Sequence, residues 1–356
     1  MNKIKYILYI TGVLASYDGH SQPTKPNIIV INCDDMGYGD LSCFGSPTIK
    51  TPNIDRMAIE GQKWSSFYVS ASVSSPSRAG LLTGRLGVRT GMYGDQRRVL
   101  FPDSKGGLPS EELTIAELLK QAGYHTACIG KWHLGEYMPL RHGFDYFYGY
   151  PYSNDMSRKE QIKLGNTKYP YEYIIYEQEK EQEREPQQYN LTQQVTEAAI
   201  RYIKSNENSP FFLYLAHPMP HMPVYASTDF QGKSARGKYG DTVEELDWSV
   251  GQILQTLKSE GLDKNTLVIF TSDNGPWLLC KQEGGSPGPL KDGKASMFEG
   301  GFRVPCIMWG AMVKPGYITD MASTLDLLPT FCEIAGIPLP SDRHYDGISL
   351  LNVLKD

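Results

Sequence analysis

The 356-residue chain is 40% hydrophobic, enough to bury a substantial core, and its 35 basic and 40 acidic side chains leave a net charge of −5. This balance excludes a broad basic surface, so nucleic acid is not a predicted partner and any anion site must come from a local cluster of cations. Six scattered cysteines without a CxxC pair argue against zinc; Cys33, Cys128 and Cys306 lie in apolar runs, where buried free thiols are expected.

The chain begins with Lys3 and Lys5, an apolar run from Tyr6 to Ala15, and then small and polar residues. This order predicts an export signal over residues 1–22 and a periplasmic or secreted protein. The apolar run is shorter than the roughly 20 residues that a spanning helix needs, and no comparable run follows, so no transmembrane anchor is predicted. Residues 23–356 are read as one catalytic domain.

Short β-branched runs follow in order: NIIVIN (27–32), TACIG (126–130), FFLYLA (211–216), TLVIFT (266–271) and VPCIMWG (304–310). Between them lie helical patterns. SEELTIAELLKQAG carries a candidate cap at Ser110, and LTQQVTEAAIRYIKSN, EELDWSVGQILQTLKSEG and STLDLLPTFCEIAG have similar spacing. The alternation predicts an α/β fold with a largely parallel sheet covered on both faces. The charged segment 171–190 is expected to be a solvated hairpin or helix on an insertion.

Chemistry-bearing residues stand just beyond these strands: Asp34 and Asp35 after the first, Lys131 and His133 after the second, His217 and His221 after the third, Asp273 and Asn274 after the fourth. In open α/β sheets the ligand crevice lies at the carboxyl ends of the strands. Adjacent buried carboxylates repel unless a cation offsets them, and an all-oxygen set of Asp34, Asp35, Asp273 and Asn274 suits calcium or magnesium rather than zinc. Each pair taken alone is more often a turn or helix cap than a ligand pair, and it is their joint placement after parallel strands that points to a metal.

Cations accompany the acids: Arg78, Lys131 in GKWHLG, and Lys291 or Lys294 in LKDGKASMFEGG. A metal with an arginine and lysines defines a site for a tetrahedral oxyanion ester, which bounds the reaction to phosphoryl or sulfuryl transfer. In ASVSSPSRAGLLTGR (71–85), Pro76 suits the first turn of a helix, which sets Ser74 at its N-terminus. There the unpaired N–H groups favour negative charge. Ser74 or Ser75 as an ordinary N-cap is the competing reading.

SSPSRAGLLTGR resembles the signature of the type I sulfatases, Cys/Ser-x-Pro-Ser-Arg before a small and apolar run ending in Thr-Gly-Arg. The likeness continues through PNIIVINCDDMGYGDLSCFG, GKWHLG, HGFDYFYG, HMPVY, FTSDNG, FEGGFRVP and DLLPTF, nearly the whole chain past its leader, and is strongest to the arylsulfatase A and N-acetylgalactosamine-6-sulfatase branch. The resemblance implies an alkaline-phosphatase-like fold, with a large mixed, mostly parallel sheet flanked by helices, and a sulfatase acting on a sulfated saccharide, 6-O-sulfated galactose or N-acetylgalactosamine among them. It implies that Ser74 is converted to formylglycine, whose hydrate is the nucleophile. Asp34, Asp35, Ser74, Asp273 and Asn274 would hold calcium, with magnesium second. Arg78 would steady the modified side chain, Lys131 and Lys294 would bind sulfate oxygens, and His133 would hydrogen-bond the hydrate. His221 would lie near the leaving oxygen, and Ser153 would be a further polar contact.

Two features depart from the family pattern. A serine stands where many members have cysteine, so conversion would require a serine-type radical-SAM sulfatase-maturating enzyme as partner. The usual small carboxy-terminal subdomain is expected to be truncated or absent. A phosphoester hydrolase using unmodified Ser74 and an inactive sulfated-glycan-binding homologue are the alternative readings.

Overall fold

Every residue of Asn27–Cys33 is buried, and so is every residue of Phe211–Ala216 and Thr266–Ser272. Runs apolar on both sides are stable only between two layers, and in the computed structural model these three strands lie side by side at the centre of a sheet. The structure describes residues 25–93 and 97–356, so the predicted leader lies outside it.

The strands are β1 (Asn27–Cys33), β2 (Gln62–Tyr68), β3 (His125–Lys131), β4 (Tyr146–Tyr150), β5 (Ile174–Glu177), β6 (Lys180–Arg184), β7 (Phe211–Ala216), β8 (Thr266–Ser272), β9 (Arg303–Gly310) and β10 (Gly316–Ser323). They form one sheet in the order β10-β2-β9-β8-β1-β7-β3-β4-β5-β6. From β8 to β4 all neighbours are parallel; β9 runs against both β8 and β2, and β5 and β6 add an antiparallel edge. The sheet is therefore mixed and parallel at its heart, as expected, and segment 171–190 contains the anticipated hairpin.

Alternation along β1 divides the core. Ile28 and Val30 pack in the cluster that includes residues of the helices Ser74–Thr83, Ile115–Gln121 and Leu327–Ala335. Ile29 and Ile31 pack in the cluster that includes the helices Pro52–Glu60, Leu191–Ser205 and Lys238–Ser259. The cap before Ile115 is Thr114, not Ser110. Thr114 has Glu117 three residues on, which completes a reciprocal capping box that Ser110, with Leu113 at that spacing, cannot make.

Register sets the depth of the site. Cys33 is level with Ser272, Asn32 and Gly130 with Ala216, and Lys131 with Tyr150. Five parallel strands thus end together at one edge. Gly130 permits this close pairing: its φ is +106°, and a Cβ there would lie 2.0 Å from the Ala216 carbonyl oxygen.

Candidate active site

Each strand of the parallel block delivers side chains at that edge: β1 leads into Asp34 and Asp35, β8 into Asp273 and Asn274, β3 ends on Lys131 and leads to His133, β4 precedes Ser153, and β7 precedes His221. The helix Ser74–Thr83 brings Ser74 and Arg78. Val73 is its N-cap, so Ser74 occupies the first helical position rather than the one before it. Lys294 comes from a loop tied down by Lys294 N–H to the Pro276 carbonyl and Ala295 N–H to the Ser72 carbonyl.

All eleven predicted site residues belong to this neighbourhood. Ser74 Oγ lies 3.3 Å from Asp34 Oδ1 and donates to it. Lys131 Nζ donates to Asp34 Oδ2 and, at 3.2 Å, to Ser153 Oγ. Arg78 engages Asp273 Oδ2 through Nε at 3.0 Å and through its terminal nitrogen at 2.8 Å. Lys294 Nζ is 2.8 Å from Asp35 Oδ2. Asp273 Oδ1 accepts the Asp35 N–H, and Asn274 Nδ2 donates to Asp35 Oδ1 at 2.7 Å.

The charges explain how so many acids survive burial. Asp34, Asp35 and Asp273 face Arg78, Lys131 and Lys294, and all except Lys294 are essentially inaccessible. Burial would lift Asp34, but Lys131, His221 and Arg78 outweigh it and hold the carboxyl below its usual range. Burial pushes Lys131 down, with Asp34 opposing; for Lys294, Asp35 and Asp34 overcome burial and raise the ammonium. Three cations balance three anions, so a divalent cation added here would leave the site positive and receptive to an anionic ester.

The donor set fits such a cation. Carboxylate oxygens of Asp34 and Asp35 and a ring nitrogen of His221 lie within 4.8 Å of one another. The buried Asn274 Oδ1 has no hydrogen-bond partner among the described residues. An orphaned amide oxygen beside clustered carboxylates is what a hard cation would satisfy.

Hydrogen bonds also fix the histidine tautomers. His133 Nε2 is 2.8 Å from the Leu100 carbonyl, which can only accept, so Nε2 carries the hydrogen and the buried Nδ1 holds a lone pair with no partner among the described residues. Burial, reinforced by Lys131, pushes His133 well below the usual imidazole range, so it is neutral. Ser75 reaches the same segment: its Oγ accepts the Leu100 N–H at 3.0 Å. Ser75, at the spacer position of the motif, therefore acts here as a tether. His221 Nδ1 donates to the Met222 carbonyl, which leaves Nε2 facing Asp35 Oδ2 at 3.6 Å.

These groups border a cavity of about 270 Å³ lined by Ser74, His133, Ser153, His221 and Lys294, together with Arg97, Arg98, Phe101, Met156 and Trp277. The last five were not singled out in the sequence. The Arg-Arg pair in a polar loop and a tryptophan three residues after Asn274 were the available signals. Of the two lysine candidates, Lys291 lies over the Phe298 ring, 3.7 Å from its centre, which leaves Lys294 as the site lysine. His217 is buried away from the cavity lining, 3.1 Å from Ser249 Oγ, a hydrogen bond at the strand end.

The arrangement defines a hydrolase for an oxyanion ester: a hydroxyl at a helix N-terminus, an acidic cation cradle, Lys294 in the cavity wall and Lys131 behind it. Comparison with known proteins gives the family. The sulfatase profile matches residues 26–337. The chain is 44% identical over 367 aligned positions to N-acetylgalactosamine-6-sulfatase of Mus musculus, covering 97% of this chain and 68% of that protein. It is 39% identical to arylsulfatase A of Homo sapiens, covering 96% and 70%. Among solved structures, Ps i-CgsB in complex with k-i-k-neocarrahexaose superposes with a TM-score of 0.80 at 35% identity, over 93% of this chain and 76% of the other. The chain belongs to the sulfatase family and is a sulfuric ester hydrolase. The alkaline-phosphatase-like fold also extends to the phosphonate monoester hydrolase of Agrobacterium radiobacter, with a TM-score of 0.65 at 19% identity. No helix among the described residues is long and apolar enough to cross a membrane.

Proposed function

We propose that this sulfatase removes sulfate from a sulfated carbohydrate, with 6-O-sulfated galactose or N-acetylgalactosamine as the leading units, using formylglycine made from Ser74. The observation that carries the reading is the position of Ser74 at a helix N-terminus, between Asp34 and a cavity bordered by His133, His221 and Lys294. The similarity to an N-acetylgalactosamine-6-sulfatase supports the sugar class. The leader-like residues 1–22 support secretion or a periplasmic location, and residues 23–356 act as one catalytic domain.

The hydrate of a formylglycine at this position would supply two hydroxyls, one to attack sulfur and one whose deprotonation would let sulfate leave and restore the aldehyde. Lys131 and Lys294 hold sulfate oxygens, and Ser153 steadies Lys131. Arg78 anchors Asp273 and keeps the floor of the site charged but rigid. The Nδ1 lone pair of His133 accepts the hydrate proton. His221, with Nδ1 committed to Met222, offers Nε2 to the leaving sugar oxygen. Asp34, Asp35, Asp273, Asn274 and residue 74 would hold calcium, which supplies positive charge to the nucleophile and the ester.

The test is peptide mass analysis at residue 74 after co-expression with a serine-type radical-SAM maturase, alongside sulfate release from defined sulfated saccharides. Loss of two hydrogens at Ser74, coupled to the appearance of activity, is expected. Unmodified serine with full sulfate release would overturn the mechanism, and unmodified serine without release would leave a glycan-binding homologue.

A further inference from the structure

The catalytic cavity does not end at Met156. That residue also borders a second cleft of about 310 Å³, lined by Pro102, Tyr152, Tyr171, Tyr173 and Arg184. The two spaces share more than one wall: Phe101 lines the first and Pro102 the second, as do Ser153 and Tyr152. Tyr152 packs edge-on against His133, with ring centres 6.3 Å apart, so one aromatic side chain spans the proposed catalytic histidine and the cleft. The far wall comes from the β5–β6 hairpin and the chain that leads into it.

We propose that this cleft is a subsite for a neutral sugar ring joined to the sulfated unit, so that the protein recognises an oligosaccharide and not an isolated sugar. The inference rests on the sulfatase reading above. Its basis is chemistry and continuity. The half-buried Tyr152 and Tyr171 present flat apolar faces with a polar edge, which suits a pyranose that has both C–H faces and hydroxyl rims. The charges are already spent: the Arg184 guanidinium is held by Glu181 and by Glu172, and Glu172 also meets Arg158 at 3.5 Å. A cleft whose one lining arginine is paired with two carboxylates has no surplus for a second sulfate or a uronic acid, and the neighbouring Glu183 adds no cation.

Binding separates this proposal from the catalytic one. The full-length chain carrying Ser74→Ala, which leaves the ester intact, is titrated by calorimetry with 6-O-sulfogalactose, with 6-O-sulfogalactosyl-N-acetylglucosamine, and with 6-O-sulfo-N-acetylgalactosamine joined to glucuronic acid. The neutral disaccharide is expected to bind about tenfold more tightly than the monosaccharide, the scale of one good aromatic contact with its buried area. Adding Tyr171→Ala is expected to remove that advantage without changing monosaccharide affinity, and Tyr171→Phe to retain it. Equal affinity for monosaccharide and neutral disaccharide, or a disaccharide advantage that survives Tyr171→Ala, would overturn the subsite while leaving the sulfatase reading intact. Preference for the uronic acid disaccharide would overturn the neutral character of the cleft. Binding of none of the three would count against the sulfated-sugar reading and the subsite together.

Discussion

Ser74 and Ser75 are adjacent and chemically identical, yet they face different tasks because the helix start turns them apart. Ser74 Oγ meets Asp34, whereas Ser75 Oγ holds the Leu100 N–H, whose carbonyl in turn fixes His133. Ser75 is thus a positioning residue acting through the backbone of Leu100. Ser75→Ala is expected to lower kcat by about 10-fold, the lower end for lost outer-sphere support, with KM little changed. Ser75→Thr, which keeps the hydroxyl, should recover most of the rate; equal loss in both variants would show that packing and not the hydrogen bond matters. Lys131 gives a sharper case. Its removal leaves Asp34 with the Ser74 hydroxyl and, as ion-pair partner, Arg78 at 3.6 Å, and deletes a group aimed at the sulfate. Lys131→Ala should cost about 10²–10³ in kcat/KM, as loss of one buried oxyanion donor does. Because the buried carboxylate loses its shortest ion pair, the melting temperature should fall as well, and wild-type melting with impaired turnover would mean that Arg78 and Ser74 compensate Asp34 without Lys131.

At the scale of elements, the site was legible wherever a buried strand ended. β1, β7 and β8 announce themselves as continuous apolar runs, and the acids beyond β1 and β8 could be read directly from their place after those runs. The edge strand β6, KEQER, pairs locally with β5 in the hairpin expected of segment 171–190, but β2 could not be read: QKWSSFY is a half-buried pattern whose partners, β9 and β10, lie far away in sequence. The same applies to Arg97, Phe101 and Met156, which reach the cavity through loop paths that no local periodicity encodes. Gly130 shows what the strand ends demand. With φ at +106° and the Ala216 oxygen where a Cβ would stand, Gly130→Ala should cost about 1–3 kcal/mol from backbone strain alone and displace the next residue, Lys131. Denaturant unfolding and kcat/KM should therefore both respond. A stable, fully active alanine variant would contradict the close approach of β3 and β7.

For the whole molecule, buried titrating groups far from the reaction set opposing dependences on pH. Burial pushes His142 down to about 4 and His217 down to about 3, so both are neutral in the folded protein. The unfolded chain takes up protons at these histidines below about 6.5, so their contribution to stability is complete above that pH and is lost as pH falls through 4 and 3. Burial raises Asp40 and Asp247 to about 6, which acts in the other direction: their contribution is present in acid and is lost as pH rises through 6. Between about pH 4 and 6 the two pairs offset each other, which favours a broad plateau, whereas between 6 and 7 the histidines dominate. His142 is the group to remove. It is fully buried, stands 5.6 Å from the Trp132 ring centre, and neither ring nitrogen has a hydrogen-bond partner among the described residues. Phenylalanine fills similar space and cannot titrate. His142→Phe should match wild type near pH 7.5 and then gain relative stability by about 1.4 kcal/mol per pH unit from 6.5 towards 4, measured as the difference in denaturant unfolding free energy. A difference that stays constant across that range would show that His142 takes up its proton in the folded state as readily as in the unfolded one.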